Sequence, residues 1–311
     1  MTRPLDPEAQ AALDRLSDEG APPLHSLSVQ GARQLLVELS DTDPEPFANE
    51  TVRDVRITGP DGHDLPVRVY LPQSGDDLPV LLYCHGGGWA LGNLDSVDAL
   101  CRLLAVEANV IVVSVGYRRS PEHPFPAALR DTYAALEWTI DSIEEPGGDP
   151  NRVGVGGDSA GGNLATAAAL LSRDRGGPEL SYQLLIYPAL DNTFDSPSYE
   201  ENADGYYLTR EDMRWFWEMY LGNFVHAANP YAVPARHTDL SDLPPTFLLT
   251  CEFDPLRSEG KEYAHRLRDA NVPVTYHHVE GMIHGFFRHV TRMESAREAA
   301  AAAASHLRSG L

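Results

Sequence analysis

A serine between two glycines is the residue of this 311-residue chain best suited to chemistry. Gly157, Asp158, Ser159, Ala160 and Gly161 have the spacing G-x-S-x-G, typical of a nucleophile elbow. In such an elbow a sharp strand-to-helix turn holds the hydroxyl clear of the backbone, and glycines are needed because a Cβ would collide with neighbouring elements. The helix N-terminus that follows favours developing negative charge. The segment therefore predicts a nucleophile at Ser159.

The same residues could instead be a helix start that needs room to pack, so the flanking sequence matters. Val153 and Val155 alternate as in a strand, and apolar residues recur at helical spacing after the turn. These residues are Leu164, Ala167, Ala168 and Leu171. Strand, turn and helix in this order favour the elbow.

An acid and a base for Ser159 are expected further along the chain. A serine hydroxyl needs a base to take its proton and a carboxylate to orient that base, and chains with this elbow place both after the serine. Asp254 and His284 each follow a predicted strand at the sheet edge where Ser159 must lie. Glu252 is the strongest rival acid because it shares the loop of Asp254. The other rivals are Asp239, Asp242 and Glu259.

Other histidines are weaker candidates for the base. His277 and His278 lie within the last predicted strand, where alternation points one to each face. His289 is predicted on the final helix. A glycine on each side of His284 predicts a loop, which a core histidine would not need. These glycines are Gly281 and Gly285.

A glycine loop at 84–93, CHGGGWALGN, is the expected oxyanion site. The backbone N–H of Ala160 is one donor to a tetrahedral oxyanion, and Gly87 and Gly88 are the donors expected from the loop. A phosphate-binding loop is the alternative, but no lysine follows the glycines. His85 could be taken for a base and is better interpreted as a structural anchor. The residues predicted to support the loop are His85, Gly86 and Asp158.

Hydrophobic periodicity predicts the elements that position these residues. A hairpin is expected from strands 51–57 and 65–71, and buried parallel strands follow as continuous apolar runs. Those runs are 79–84, 110–115, the strand before Ser159, 182–187, 246–251 and 274–279. Helices are expected near 6–17, around Ala32 to Leu39, and at 95–107, 126–143, after Ser159, 258–270 and 290–308. The pattern predicts a doubly wound α/β sheet of eight strands, antiparallel at the start.

Two segments break the strand–helix alternation and predict a cap over the site. Residues 1–50 supply helices ahead of any strand, and 191–243 insert many aromatic and polar residues beyond a central strand. The α/β core is accordingly expected in two parts, 51–190 and 244–311. Most of the inserted aromatic residues are ordinary helix core.

The chain is strongly acidic, with 24 basic and 46 acidic residues and a formal net charge of −22. Nucleic acid and anionic membrane surfaces are therefore excluded as partners on electrostatic grounds. Lys261 is the only lysine. Adaptation to salt explains both features, whereas the codon bias of a GC-rich genome explains the missing lysine but not the surplus carboxylates.

Nothing in the sequence indicates a metal, a cofactor or a membrane span. Cys84, Cys101 and Cys251 lack metal-ligand spacing and lie in apolar runs, as buried cysteines do. The N-terminus has no apolar signal core, and no run is long enough to span a bilayer. We expect a cytoplasmic protein, in which pairing of the last strand could form a homodimer.

Four stretches together resemble the hormone-sensitive lipase family of α/β-hydrolases. They are HGGGW at 85–89, GDSAGG at 157–162, DPLRSEG at 254–260 and HGF at 284–286, and YRRSPEHPFPAAL at 117–129 adds to the likeness. The resemblance, to bacterial and archaeal family IV carboxylesterases, implies an α/β-hydrolase fold with a helical cap. It also supports the triad Ser159, Asp254 and His284. Ser258, Arg119 and Ser120 depart from the family pattern without touching the triad.

The predicted function is hydrolysis of short- to medium-chain carboxylic esters through an acyl-enzyme on Ser159. A related acyl hydrolase, such as an amidase, a deacetylase or a long-chain lipase, is the alternative among enzymes. A non-catalytic ligand-binding receptor on the same scaffold is the alternative from another class. The expected partner is a small-molecule ester.

Overall fold

This computed structural model describes residues 4–40, 47, 51–73, 75–144 and 147–311. Within them, one sheet of eight strands forms the centre of the protein. The strands are β1 Thr51–Thr58, β2 Asp64–Leu71, β3 Leu78–Cys84, β4 Ile111–Val115, β5 Gly148–Asp158, β6 Tyr182–Ile186, β7 Thr246–Phe253 and β8 Val274–Ile283. Their order is β1-β2-β4-β3-β5-β6-β7-β8. β2 is antiparallel to both of its neighbours, and the other pairs are parallel. The predicted sheet is confirmed.

Helices cover both faces of this sheet. They are α1 Pro7–Asp18, α2 Val29–Leu39, α3 Asp98–Ala108, α4 Ala127–Ser142, α5 Ala160–Arg175, α6 Pro197–Glu201, α7 Arg210–Leu221, α8 Arg257–Asp269 and α9 Glu294–Gly310. α4, α5 and α8 pack on one face, and α3 and α9 pack on the other. β4 and β6 are buried throughout, which explains their continuous apolar sequences. Among the described helices, none has the length and apolar character needed to cross a bilayer.

The last strand is longer than predicted, and this changes the setting of His284. After a bulge, β7 and β8 pair again at Phe253 and Ile283, so β8 continues up to the residue before the histidine. Gly281 therefore lies in a strand, where its N–H donates to the Glu252 carboxylate at 2.9 Å. The prediction of a loop before His284 is therefore wrong. After the histidine, Gly285 does lie in a turn, with φ +86°.

The sequence predicted His289 on the final helix, but the structure places it before that helix begins. A 3-10 turn at Phe286–Arg288 ends at His289, whose N–H donates to the carbonyl of Phe286 at 2.9 Å. α9 begins only at Glu294, where the Glu8 carboxylate accepts the N–H of Glu294 at 2.8 Å. The start of this helix is thus set by a residue of α1, which no local pattern reveals.

The N-terminal helices and the 191–243 segment meet each other. His25 donates its backbone N–H to Asp212 at the start of α7, and its ring Nδ1 lies 2.8 Å from the same carboxylate oxygen. At the other end of this region, the N–H of Asp6 donates to the carbonyl of Gly281 in β8 at 3.0 Å. The division into cap and core stays a prediction, and its residues 1–3, 41–46 and 48–50 lie outside the described residues.

Candidate active site

Ser159 lies at the apex of the turn between β5 and α5. Its backbone has φ 57° and ψ −117°, a region that costs a non-glycine residue about 1–3 kcal/mol. A Cβ at Gly157 or Gly161 would clash with the carbonyl of Cys84, which explains the glycines of the motif. The packing of β3 against this turn therefore holds the serine in its strained conformation.

Ser159, His284 and Asp254 form one hydrogen-bonded line. His284 Nε2 lies 2.9 Å from Ser159 Oγ, and His284 Nδ1 lies 2.8 Å from Asp254 Oδ2. The other oxygen of Asp254 accepts the backbone N–H of Leu256 at 2.8 Å. Because a carboxylate only accepts hydrogen bonds, Nδ1 carries the proton and Nε2 is left to accept from the serine. The arrangement suits general-base activation of a hydroxyl.

The rival acids point elsewhere. Glu252 shares the loop of Asp254, but its carboxylate binds the N–H of Gly281. Glu259 is buried and accepts the N–H of Leu190 at 2.7 Å, and burial raises its pKa well above the usual range. Asp239 accepts the N–H of Ser241 at the surface, and Asp242 is exposed. None of the four contacts His284.

The other histidines also lie away from Ser159. The ring of His277 stacks on Phe247 with centroids 5.9 Å apart, and His278 Nδ1 lies 3.1 Å from Thr250 Oγ1. The two rings thus point to opposite faces of β8, as its alternation predicted. Burial lowers the pKa of His277.

The glycine loop after β3 opens next to Ser159. Gly87 and Gly88 line the same cavity as the serine, and both have positive φ, at 117° and 58°. No described residue accepts a hydrogen bond from either N–H. The N–H of Ala160 belongs to the first residue of α5 and has no acceptor within the helix. Three backbone donors are therefore available around the serine.

Asp158 holds the glycine loop in place. Its buried carboxylate accepts the N–H of Gly86 at 2.9 Å and the hydroxyl of Tyr83 at 3.1 Å. Burial raises its pKa, although these bonds and the nearby Arg288 oppose that rise. Because a Cβ on Gly86 would strike this carboxylate, the turn needs glycine there.

His85 lies behind the loop rather than in the site. Its ring stacks on Tyr117 with centroids 4.2 Å apart, and Nδ1 lies 2.9 Å from the carbonyl of Gly86. Burial lowers its pKa to about 3, so the ring is neutral and donates from Nδ1 to that carbonyl. This geometry suits the predicted anchor.

The cysteines provide no nucleophile, although the Cys251 thiol donates to Asp254 Oδ2 at 3.5 Å. Cys84, Cys101 and Cys251 are free and buried, and burial raises the pKa of the Cys84 thiol to about 12. In the described part of the chain, no group of three or more His, Cys, Asp or Glu could hold a metal ion.

Two neighbouring cavities border the site, and His284 lines both of them. The smaller, of about 30 Å³, is lined by Ser159 and the glycine loop. The larger, of about 180 Å³, lies between α1, α2 and the turn after β8. They share the lining residues Leu36, Tyr207, His284, Gly285 and Arg288.

Sequence reasoning missed Arg288 and Tyr187. The ring of Tyr187 packs against the His284 imidazole, with centroids 4.4 Å apart, and limits its movement. Arg288 follows the HGFF stretch and folds back between the two cavities. A lone cation directly after this apolar stretch was the one local signal for it.

Comparison with known proteins agrees with this architecture. The α/β-hydrolase-fold family matches residues 81–288. Carboxylesterase NlhH of Mycobacterium tuberculosis is 44% identical over 276 residues, which cover 87% of this chain and 86% of the relative. The chain belongs to the hormone-sensitive lipase family of α/β-hydrolases.

Two further members extend the comparison. Ethyl acetate hydrolase of Pseudomonas putida is 36% identical over 286 residues, covering 89% of this chain and 88% of the relative. The crystal structure of a thermostable esterase from Pseudomonas putida ECU1011 superposes with a TM-score of 0.94 at 34% identity. The superposition covers 100% of this chain and 99% of that esterase, so the likeness includes the N-terminal helices and the 191–243 segment.

Proposed function

We propose that this carboxylic ester hydrolase acts through an acyl-enzyme formed on Ser159. The observation that carries the proposal is the line from Ser159 through His284 to Asp254, with distances of 2.9 and 2.8 Å. In the first half-reaction, His284 Nε2 takes the Oγ proton while Oγ attacks the ester carbonyl. Asp254 stabilises the imidazolium that forms.

The tetrahedral intermediate carries its negative charge on the former carbonyl oxygen. We assign Gly87, Gly88 and Ala160 as donors to it, since their N–H groups surround the serine. His284 then gives its proton to the leaving alkoxide, which completes the acyl-enzyme. Water loses a proton to His284 and releases the acid, and Oγ recovers that proton.

The substrate proposed is a short- to medium-chain ester. The cavity at Ser159 measures about 30 Å³ and its neighbour about 180 Å³, volumes that suit small acyl and alcohol groups. The relative named ethyl acetate hydrolase supports the same size class. An activity series from acetate to palmitate nitrophenyl esters tests this, and a maximum at the longest chains would favour the lipase alternative. Faster turnover of matched anilides would favour an amidase or deacetylase.

The cap is proposed to consist of residues 1–50 and 191–243. Leu24 and Leu36 from the first segment, and Leu208 and Phe216 from the second, line the Ser159 cavity. The two segments therefore enclose the reacting groups and exclude water.

Three properties of the whole molecule belong to the proposal. A cytoplasmic location suits the three free cysteines, and salt adaptation suits the acidic composition. A homodimer could form along β8, the last strand in the sheet order. Sedimentation of the full chain tests the dimer.

The proposal predicts that Ser159→Ala abolishes hydrolysis of nitrophenyl butyrate, because Ser159 supplies the only hydroxyl that contacts His284 Nε2 among the described residues. A fluorophosphonate should label the wild-type chain once and the variant not at all. Ser309→Ala on the exposed face of α9 is the matched control and should retain full activity. Turnover by the pure Ser159→Ala chain would contradict the proposal. Failure of the fluorophosphonate to label the wild-type chain would favour a ligand-binding receptor.

A further inference from the structure

The Arg288 side chain lies buried between the two cavities without a hydrogen-bond acceptor for most of its guanidinium. The residue is 8% exposed. Its Nε and Nη1 atoms are buried, and neither donates a hydrogen bond to any described residue. Burying donors of a charged group unpaired is costly, so such a group is normally matched by an acceptor.

Asp158 balances the charge of Arg288 but does not bind its donors. The nearest approach is 3.7 Å, between Arg288 Nε and Asp158 Oδ2, which exceeds hydrogen-bond distance. The Oδ1 atom already accepts from Gly86 and Tyr83. Moving this carboxylate toward the arginine would pull it off the glycine loop. The Tyr207 hydroxyl also interacts with the guanidinium, but Nε and Nη1 remain without an acceptor in the described part of the chain, so the group has capacity for a second anion.

The position of Arg288 puts that anion beside the reacting ester. With His284, Gly285 and Tyr207, it lines the cavity that contains Ser159 and the larger cavity next to it. A Cβ added to Gly285 would lie 3.6 Å from Arg288 Nη2, so the guanidinium is directly below the turn that carries the histidine. Because Arg288 and Ser159 line one cavity, a group bound to the arginine can belong to the same small molecule as the scissile bond.

Basic side chains are concentrated around the larger cavity, in a chain whose net charge is −22. Arg15 and Arg292 line it together with Arg288. Glu8 supplies the one carboxylate among its described lining residues, and both oxygens are occupied at the start of α9. Arginine thus outnumbers carboxylate among the described lining residues.

We propose that the substrate is an ester carrying a second, ionised carboxylate, and that Arg288 binds this carboxylate. The proposal rests on ester hydrolysis as proposed above and names its substrate class. A planar guanidinium donates two parallel hydrogen bonds to a carboxylate, which fixes the orientation of the bound molecule. The carboxylate belongs to the acyl group in half-esters of dicarboxylic acids and to the alcohol in acylated hydroxy acids.

Matched substrate pairs test this class. The acyl-side pair is the nitrophenyl half-ester of glutaric acid and the nitrophenyl ester in which isopropyl replaces the free carboxylate. The alcohol-side pair is the acetyl ester of hydroxypropionic acid and isopentyl acetate. The readout is the ratio of kcat/KM, anionic over neutral, for each pair at one ionic strength.

In Arg288→Gln, the ratio should fall at least about tenfold for the pair whose carboxylate reaches the arginine. Arg288→Lys should restore part of this ratio, because lysine keeps the positive charge but lacks the two parallel N–H donors of a guanidinium. Arg130→Gln, which also removes one positive charge but lies at the surface with Asp61, is the control and should keep the wild-type ratio. An unchanged ratio for both pairs in Arg288→Gln would show that Arg288 is only the counterion of Asp158.

A binding measurement keeps the proposal testable if Arg288→Gln does not fold. Calorimetric titration of the Ser159→Ala chain should show tighter binding of the anionic member of one pair than of its neutral partner. Equal affinities in both pairs would overturn the proposal. If wild type hydrolyses neither member of any pair, ester hydrolysis itself fails, and this titration still decides whether the site binds a carboxylate.

Discussion

Single residues of this site are held by contacts that come from distant parts of the chain. Asp254 and Glu252 are two positions apart, yet only Asp254 reaches His284, because Glu252 binds the backbone of Gly281 in the neighbouring strand. Each carboxylate thus has its own task. Glu252 lies within β7 and Asp254 just after its last residue, Phe253, so the contacts of each carboxylate decide their roles and not the alternation along the strand.

At the residue scale, His85 should make stability depend on pH. Its pKa falls from the ordinary 6.5 to about 3 on folding, because burial disfavours the charged ring. Between these values the unfolded chain binds more protons than the folded one, so this group lowers the free energy of unfolding as pH falls. His85→Gln removes that contribution while losing the stacking on Tyr117, worth about 1 kcal/mol.

The stability deficit of His85→Gln relative to wild type should therefore be largest at neutral pH and shrink by pH about 4.5. Urea unfolding at the two pH values measures it. His265→Gln, on the exposed face of α8, controls for the loss of one imidazole. A deficit that is equal at both pH values would contradict a neutral, buried His85.

Among the elements, the loop after β3 depends on contacts with α7. The ring of Phe216 from α7 lies against Gly88, so the 191–243 segment sets the space available at the expected oxyanion site. The same helix contacts the N-terminal segment through Asp212 and His25. The glycine loop, α7 and the N-terminal segment are therefore packed together.

At the element scale, Gly88→Ala should lower kcat for nitrophenyl butyrate by about a hundredfold. The new Cβ would strike the Phe216 ring, and φ at this position is +58°, so the loop must shift and its donors with it. Steady-state kinetics measure the effect.

Gly20→Ala is the matched control, because Gly20 also has positive φ, at 64°, but nothing lies near its Cβ. That variant should lose about 1–2 kcal/mol of stability and keep wild-type kcat. Full activity in Gly88→Ala would remove Gly88 from the set of oxyanion donors.

On the scale of the whole molecule, charge is the dominant feature. With 46 acidic and 24 basic residues, the folded chain repels itself, and many arginines are already paired, as Arg118 is with Asp131 and Asp61. Because acidic residues outnumber basic ones, the carboxylates cannot each be paired with a separate arginine or lysine. Screening by salt is then the remaining means of reducing the repulsion.

We expect the melting temperature and the activity to rise between low and molar sodium or potassium chloride. At that concentration the Debye length is about 3 Å, which screens most surface repulsion. Thermal scans and initial rates with a neutral ester at each salt concentration test this. A flat response would favour codon bias as the source of the composition.

The sequence by itself determined the sheet, the elbow and the three residues at the strand ends. These follow from short-range rules: glycine where a Cβ cannot fit, apolar runs in buried strands, and functional groups at one edge of a parallel sheet. Ser159, Asp254 and His284 each follow directly from a strand, so local pattern was enough to bring them together.

Only the tertiary structure decided the features that depend on contacts between distant segments. Glu8 sets the start of α9 and excludes His289 from it, and Phe253 pairs with Ile283 and draws Gly281 into β8. Arg288 stands 130 positions after Asp158 in the chain, and their approach to 3.7 Å is visible in no local pattern. Periodicity reports which face of an element is apolar, whereas the partner on that face is chosen by packing of the whole chain.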